Sequence, residues 1–234
     1  MSSPVLYIAG DVHHDGSDDA FIRWLDQLAT KAPARLVILG DLVEWWIDAG
    51  SSSVRHEPVL GRLRHLRQLG WHIDVVRGNR EVTAGRTFEI ACGSRLVWPR
   101  LDIVLGSTRV RIVHGDRLVH DPAYRGWAAL ATSFAFRVWQ RLHPAFIQEL
   151  VAVWMRRNSH GNKPKVYRRI FIDPRRVRAA ARGCDVLIAG HIHESWRRHY
   201  GGVDLMLVGH WPSGHGHWIE GYADGQLDRC SAAF

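Results

Sequence analysis

Five short, near-continuous apolar runs constrain this chain more than any other feature: "VLYIA" at 5–9, "RLVIL" at 35–39, "HIDVV" at 72–76, "RVRIV" at 109–113 and "DVLIA" at 185–189. Runs of this length and β-branched content suit strands buried on both faces. The first three are separated by segments 18–31 and 55–69, whose apolar residues recur near helical spacing. Alternating strand and helix predicts an α/β fold with a central sheet. The chain has 234 residues, room for one large domain and short of a comfortable two, and at 46% hydrophobic it can fill a substantial core. The stretches "VDLMLVGHW" and "HWIEGYADG" read as further strands and turns.

Each run is followed at once by a possible ligand. Asp11 and His13 come after the first, Asp41 after the second, Asn79 after the third, His114 after the fourth, and His191 and His193 after the fifth. Ligands of open α/β sheets gather at the carboxyl ends of the strands, so residues far apart in sequence can converge there. Carboxylates, imidazoles and one amide suit Mn²⁺, Fe²⁺ or Zn²⁺ better than Ca²⁺. These seven side chains are too many for one ion and fit two that share a bridge. Asp41 is the natural bridge, because a carboxylate can offer one oxygen to each metal. Two metals roughly 3.5–4 Å apart clamp the attacking and leaving oxygens of a phosphoryl displacement. A single D-x-H, H-x-H or HGD carries little information. Five such motifs in order, each capping an apolar run, carry a great deal.

The three cysteines, Cys92, Cys184 and Cys230, lack C-x-x-C spacing, which points to a reducing compartment rather than a disulfide framework or a structural zinc site. The chain reaches an apparent strand by Val5 without a basic leader, and no apolar run approaches the roughly 18 residues of a membrane span, so a cytoplasmic location is expected. The net charge of +8 is unevenly spread. Residues 117–182 hold fourteen Lys and Arg against three acids, a surplus of +11 that leaves the remainder at −3. An anionic partner is therefore expected at that segment.

The motifs "GDVHH" (10–14), "GDLVE" (40–44), "GNRE" (78–81), "HGD" (114–116) and "GHIH" (190–193) resemble the motif set of the calcineurin-like metallophosphoesterases across roughly residues 5–220. The resemblance implies a four-layer αββα sandwich with a dinuclear centre, usually manganese. One metal would take Asp11, His13, Asp41 and His193, and the other Asp41, Asn79, His114 and His191, with a metal-activated water as nucleophile. Most phosphomonoesterases of the family carry His after the Asn to protonate the leaving group. Here Arg80 stands in that place and cannot give up a proton at neutral pH. A site without the acid suits a leaving group that needs none, such as a phosphate released from a pyrophosphate, whose oxygens a guanidinium can hold bidentately.

"GNR" with "GDLVEWWI" resembles one subgroup in particular, the UDP-2,3-diacylglucosamine hydrolases of lipid A synthesis. That resemblance implies cleavage of a UDP-linked glycolipid to UMP and a diacylglucosamine 1-phosphate. It gives catalytic roles to Arg80, Asp41 and His114, and substrate contacts to Asn79, Arg80, Asp121, Ser159, Asn162, Lys163 and His191. It also implies peripheral attachment to the cytoplasmic face of the inner membrane. The chain departs from the subgroup at "GNREV", where "GNRDF" is usual, and at Asp121-Pro122, where two aspartates are usual.

The insertion at about 122–170 reads as a helical lid. Trp127, Leu130, Phe134, Trp139, Phe146, Leu150, Trp154 and Met155 would line an acyl-chain pocket, with Arg137, Arg141, Arg156 and Arg157 toward anionic headgroups. The plainer alternative is two amphipathic helices packed on the core. Other readings keep the metal chemistry but change the substrate to a soluble nucleotide such as a dinucleoside polyphosphate, or make the chain a nuclease; a greasy lid argues against both, so nucleic acid is not the expected partner. A protein-binding scaffold on an inactive phosphoesterase fold would be expected to have lost ligands, and none is missing here. His210 and "HGH" at 215–217 read as turn or loop histidines, His210 close enough to touch the centre from behind. Glu44 reads as orienting the Asp41 loop, Trp45 and Trp46 as packing, and Asp116 as fixing the tautomer of His114.

Overall fold

The computed structural model describes residues 3–16, 20–46, 54–120, 172–212 and 214–234, together with Gly126, Ser133, Val138, Leu142 and Ile147. Strands β1 (Leu6–Ala9), β2 (Arg35–Ile38), β3 (His72–Val76) and β4 (Arg95–Val97) run parallel. On the other side of β1, β10 (His215–Gly221) and β11 (Leu227–Ala233) add antiparallel, completing a six-stranded sheet ordered β11-β10-β1-β2-β3-β4. A second sheet is ordered β5-β6-β7-β9-β8, from β5 (Leu101–Leu105), β6 (Thr108–Val113), β7 (Val186–Ala189), β8 (Ser195–Tyr200) and β9 (Val203–Val208).

The five apolar runs are thus all strands, but they divide three and two between sheets. The single central sheet expected from alternation is two, as the family resemblance implied. A run buried on both faces looks the same whether its outer neighbour is a helix or another sheet. Side chains alternate between the layers. Leu6, Ile8, Val37, Leu39 and Val76 meet Val110, Ile112, Val186, Ile188, Met206 and Val208 between the sheets. Tyr7, Ala9, Leu36, Ile38, Ile73 and Val75 point outward, against α1 (Ala20–Leu28) and α2 (Glu57–Gln68). Leu187, Ala189, Leu205 and Leu207 face the opposite way, toward Val177 of α4 (Pro174–Ala180). The result is an α/β sandwich of four layers.

Two helices and four strands were not foreseen: α3 (Arg86–Cys92), α4, β4, β5, β8 and β11. All are short, and β8, "SWRRHY", is an edge strand whose polar side chains leave no apolar run to detect. "HGH" at 215–217 opens β10, so the expected loop histidines belong to a strand.

Toward the amino ends of β2 to β4 lies a fully buried carboxylate, Asp74. Arg35 donates to it from Nε and Nη2 at 2.9 and 2.6 Å, and Arg95 from Nε at 2.7 Å. Burial pushes its pKa up, but these bonds outweigh burial and hold it below the usual range. Where the chain leaves β6, Val119 bridges antiparallel to Ile172, and Asp173 N donates to the Leu118 carbonyl at 3.0 Å. The span from 122 to 170, including the lid side chains and the basic residues named above, lies outside the described residues apart from Gly126, Val138, Leu142 and Ile147, which are helical, and Ser133.

Candidate metal centre

The loops after β1, β2, β3, β6 and β7 meet at one end of the sandwich. Asp11, His13 and His193 have ligand atoms within 4.8 Å of one another, and so do Asp41, His114 and His191. Asp41 stands between the groups: Oδ2 lies 3.8 Å from His13 Nε2 and Oδ1 3.7 Å from His114 Nε2. Asn79 Oδ1 is 2.9 Å from both His114 Nε2 and His191 Nδ1. All seven expected ligands therefore converge, and one oxygen of Asp41 faces each group.

The backbone is shaped for this. Among the described residues, five that are not glycine have positive φ, and all are candidate ligands: Asp11 (52°), His13 (52°), Asp41 (49°), His191 (69°) and His193 (60°). Such conformations cost roughly 1–3 kcal/mol each and persist where tertiary contacts impose them, often at functional sites. The glycines before the ligands permit the close approach. A Cβ on Gly78 would lie 2.5 Å from both Asp41 N and Oδ1, and one on Gly190 2.8 Å from Asp11 Oδ2.

Charge is concentrated and incompletely answered. Asp11 Oδ2 accepts from His191 N at 2.6 Å, but Asp11 Oδ1 is buried without a hydrogen-bond partner among the described residues. Burial, then the neighbouring Asp41, raises the Asp11 carboxyl well above the ordinary range. Burial pushes Asp41 up to about 6 against the pull of His191 and Arg80. His114 Nδ1 lies 2.5 Å from the Leu39 carbonyl, which can only accept, so its proton sits there and Nε2 offers a lone pair. That lone pair faces the Asn79 oxygen, and His13 Nε2 faces His193 Nε2 at 3.2 Å. Imidazole nitrogens, an amide oxygen and buried carboxylates, one of them with an orphaned oxygen, form a donor set that divalent cations fit.

One expectation about supporting residues is corrected. The partner of His114 Nδ1 is the Leu39 carbonyl rather than Asp116, because the histidine reaches across to the neighbouring sheet. A carboxylate not singled out from the sequence also holds the Asp41 loop: Glu81, fully buried, accepts from Asp41 N at 2.8 Å and Val43 N at 3.2 Å, and Glu44 contributes its backbone N–H to the His14 carbonyl. Burial and Asp41 raise Glu81 to about 7. Its signal in the sequence was an acid directly after Asn79-Arg80 and ahead of the small and apolar "VTA". His210 does stack behind His193, with ring centroids 5.0 Å apart. Arg80 donates its backbone N–H to Asp41 Oδ1 at 2.9 Å. Of the expected substrate contacts, Asn79, Arg80 and His191 line the centre, while Asp121, Ser159, Asn162 and Lys163 lie outside the described residues.

Known proteins resemble the chain in the same terms. The family model for calcineurin-like phosphoesterases matches residues 5–214. A UDP-2,3-diacylglucosamine hydrolase of Tolumonas auensis is 32% identical over 197 residues, covering 80% of this chain and 79% of that protein. Its namesake in Hahella chejuensis is 31% identical over 199 residues, covering 82% and 81%. A solved structure of a hypothetical protein from Pyrococcus horikoshii OT3 aligns with a TM-score of 0.53 over 98% of this chain and 88% of that one, at 9% identity, a likeness of fold alone.

Proposed function

Since the chain belongs to the calcineurin-like phosphoesterase family, a family of divalent-metal phosphoesterases, we propose that it hydrolyses the pyrophosphate bond of UDP-2,3-diacylglucosamine, giving UMP and 2,3-diacylglucosamine 1-phosphate. Asp11, His13, Asp41 and His193 hold one metal ion, and Asp41, Asn79, His114 and His191 the other, with Mn²⁺ preferred over Mg²⁺ because nitrogen donors favour it. Bound metals supply positive charge and water activation at the phosphorus.

Arg80 is the observation that carries the substrate class. It lies beside Asp41, where an acid for an alkoxide leaving group would be needed, and is a permanent cation instead. Hydrolysis of an anhydride breaks one P–O bond and releases a phosphate, which departs without a proton from the protein. The guanidinium neutralises the oxygens that gain charge in that step. The names of the relatives supply the identity of the glycolipid. The surplus of +11 in residues 117–182 supports a peripheral place on an anionic inner-membrane face, and no helix among the described residues is long and apolar enough to cross a membrane.

The test is product analysis with the purified chain and Mn²⁺. UDP-2,3-diacylglucosamine should yield UMP and the 1-phosphate in equal amounts, and Arg80→Ala should lower kcat by roughly 10²–10³. Arg80→His should gain activity on a simple phosphomonoester while losing it on the diphosphate. Wild-type protein that cleaves monoesters as readily as the diphosphate, with Arg80→Ala indifferent on both, overturns the reading.

A further inference from the structure

A long arginine side chain binds an anion well only if its rotamers are already restricted. The Arg80 guanidinium carbon lies 5.6 Å from the centroid of the Trp45 ring. Among the described residues, no carboxylate or carbonyl holds that guanidinium, and Arg80 Nε is buried without a partner, as is Trp45 Nε1. The ring is therefore what constrains it.

The adjacent tryptophans divide their work. Trp46 is 3% exposed and packs edge-on against Phe88, with centroids 5.0 Å apart, so it anchors the segment in the core. Trp45 turns instead toward the centre. The two loops are laced together: Trp46 N donates to the Arg80 carbonyl at 3.2 Å, and Thr83 Oγ1 to the Trp46 carbonyl at 2.9 Å. Arg80 N bonds Asp41 Oδ1, and Glu81 holds the amides of Asp41 and Val43. Neither partner of the ring–guanidinium pair is free to drift.

We propose that Trp45 is a positioning residue that sets Arg80 for the oxygens of a diphosphate, and so helps to determine preference for anhydrides over simple esters. The inference rests on the reading of Arg80 as an anion clamp. A ring face covering one side of the guanidinium leaves its two terminal nitrogens to present a fork to the ligand. Trp45 belongs to neither candidate metal group, so its removal should spare chemistry that does not need Arg80.

The experiment compares Trp45→Leu, Trp45→Phe, Arg80→Ala and the double variant Trp45→Leu/Arg80→Ala, each with Mn²⁺. The probes are UDP-2,3-diacylglucosamine, bis(4-nitrophenyl) phosphate and, for binding by calorimetry, inorganic pyrophosphate. Trp45→Leu should raise KM for the diphosphate about tenfold and weaken pyrophosphate binding similarly, the size of a desolvated cation–π contact. Trp45→Phe should recover most of the loss. Hydrolysis of the bis-aryl ester should hold steady in both, and Trp45→Leu should add nothing once Arg80 is alanine. If the two losses multiply in the double variant, or the bis-aryl ester falls in parallel, Trp45 does not act through Arg80 and the inference fails alone. If Arg80→Ala by itself changes nothing, the anion-clamp reading fails and takes the inference with it.

Discussion

The two ends of the first sheet hold buried carboxylates under opposite regimes. Toward the amino ends of β2 to β4, Asp74 is enclosed by Arg35 and Arg95, and its pKa falls below the ordinary range. At the carboxyl ends, Asp11, Asp41 and Glu81 are equally buried, but no arginine side chain hydrogen-bonds them among the described residues, and burial raises their pKa values against the pull of backbone amides and nearby cations. One end is closed in charge by the chain itself and serves the fold. The other is left short of positive charge, in strained backbone, and is the end where the candidate ligands gather. Among the described residues, these buried acids divide by whether an arginine side chain hydrogen-bonds them.

The contrast breaks most plainly at Asp41. Asp41→Ala should cut turnover by more than the roughly 10–100-fold that loss of an outer partner costs, and should lower bound metal as measured by elemental analysis, because one oxygen faces each candidate group. Full activity in excess chelator would contradict the metal reading altogether. Replacing Arg35 and Arg95 together by Ala should do the opposite: destabilise by about 3 kcal/mol in denaturant titrations, since Asp74 is left buried and uncompensated, while metal content is unchanged.

The smallest effect concerns pH. In chelator-treated protein, Asp41 and Glu81 stay protonated when folded up to about 6 and 7, whereas unfolded carboxyls ionise near 4. Folded groups with raised pKa stabilise at low pH and lose that contribution as pH rises. The melting temperature of metal-free protein should therefore carry a fall on the order of 5 °C between pH 4.5 and 7 that Asp41→Asn flattens. Asp74, with a lowered pKa, has the reverse sign and contributes stability that is lost only as pH falls through its folded value. An identical slope in wild type and Asp41→Asn would show that the site acids do not differ from the rest.

Much of this was legible before the fold. The apolar runs 5–9, 35–39, 72–76, 109–113 and 185–189 became β1, β2, β3, β6 and β7, and every candidate ligand sits in the loop after its run. Both signals are local, since burial writes itself into consecutive apolar residues and a strand end is where the run stops. The supporting residues were harder. Trp45 and Trp46 are neighbours of one type, and nothing in "EWWI" says that one enters the core and the other faces Arg80. Glu81 looked like a conservative departure from a motif and proved to be the brace of the Asp41 loop.

By itself, then, the sequence determined that five apolar segments are strands, which side chains end them, and that an arginine replaces an acid after Asn79. Those are properties of residues next to one another. The tertiary structure decided that the runs divide between two sheets, that Asp41 turns one oxygen to each group, and that five candidate ligands adopt left-handed backbone. It also decided that the Leu39 carbonyl, not Asp116, sets His114. Each of these depends on groups brought together from loops far apart in the chain, where hydrogen bonds, close-packed glycines and unanswered charge select one arrangement that no local pattern encodes.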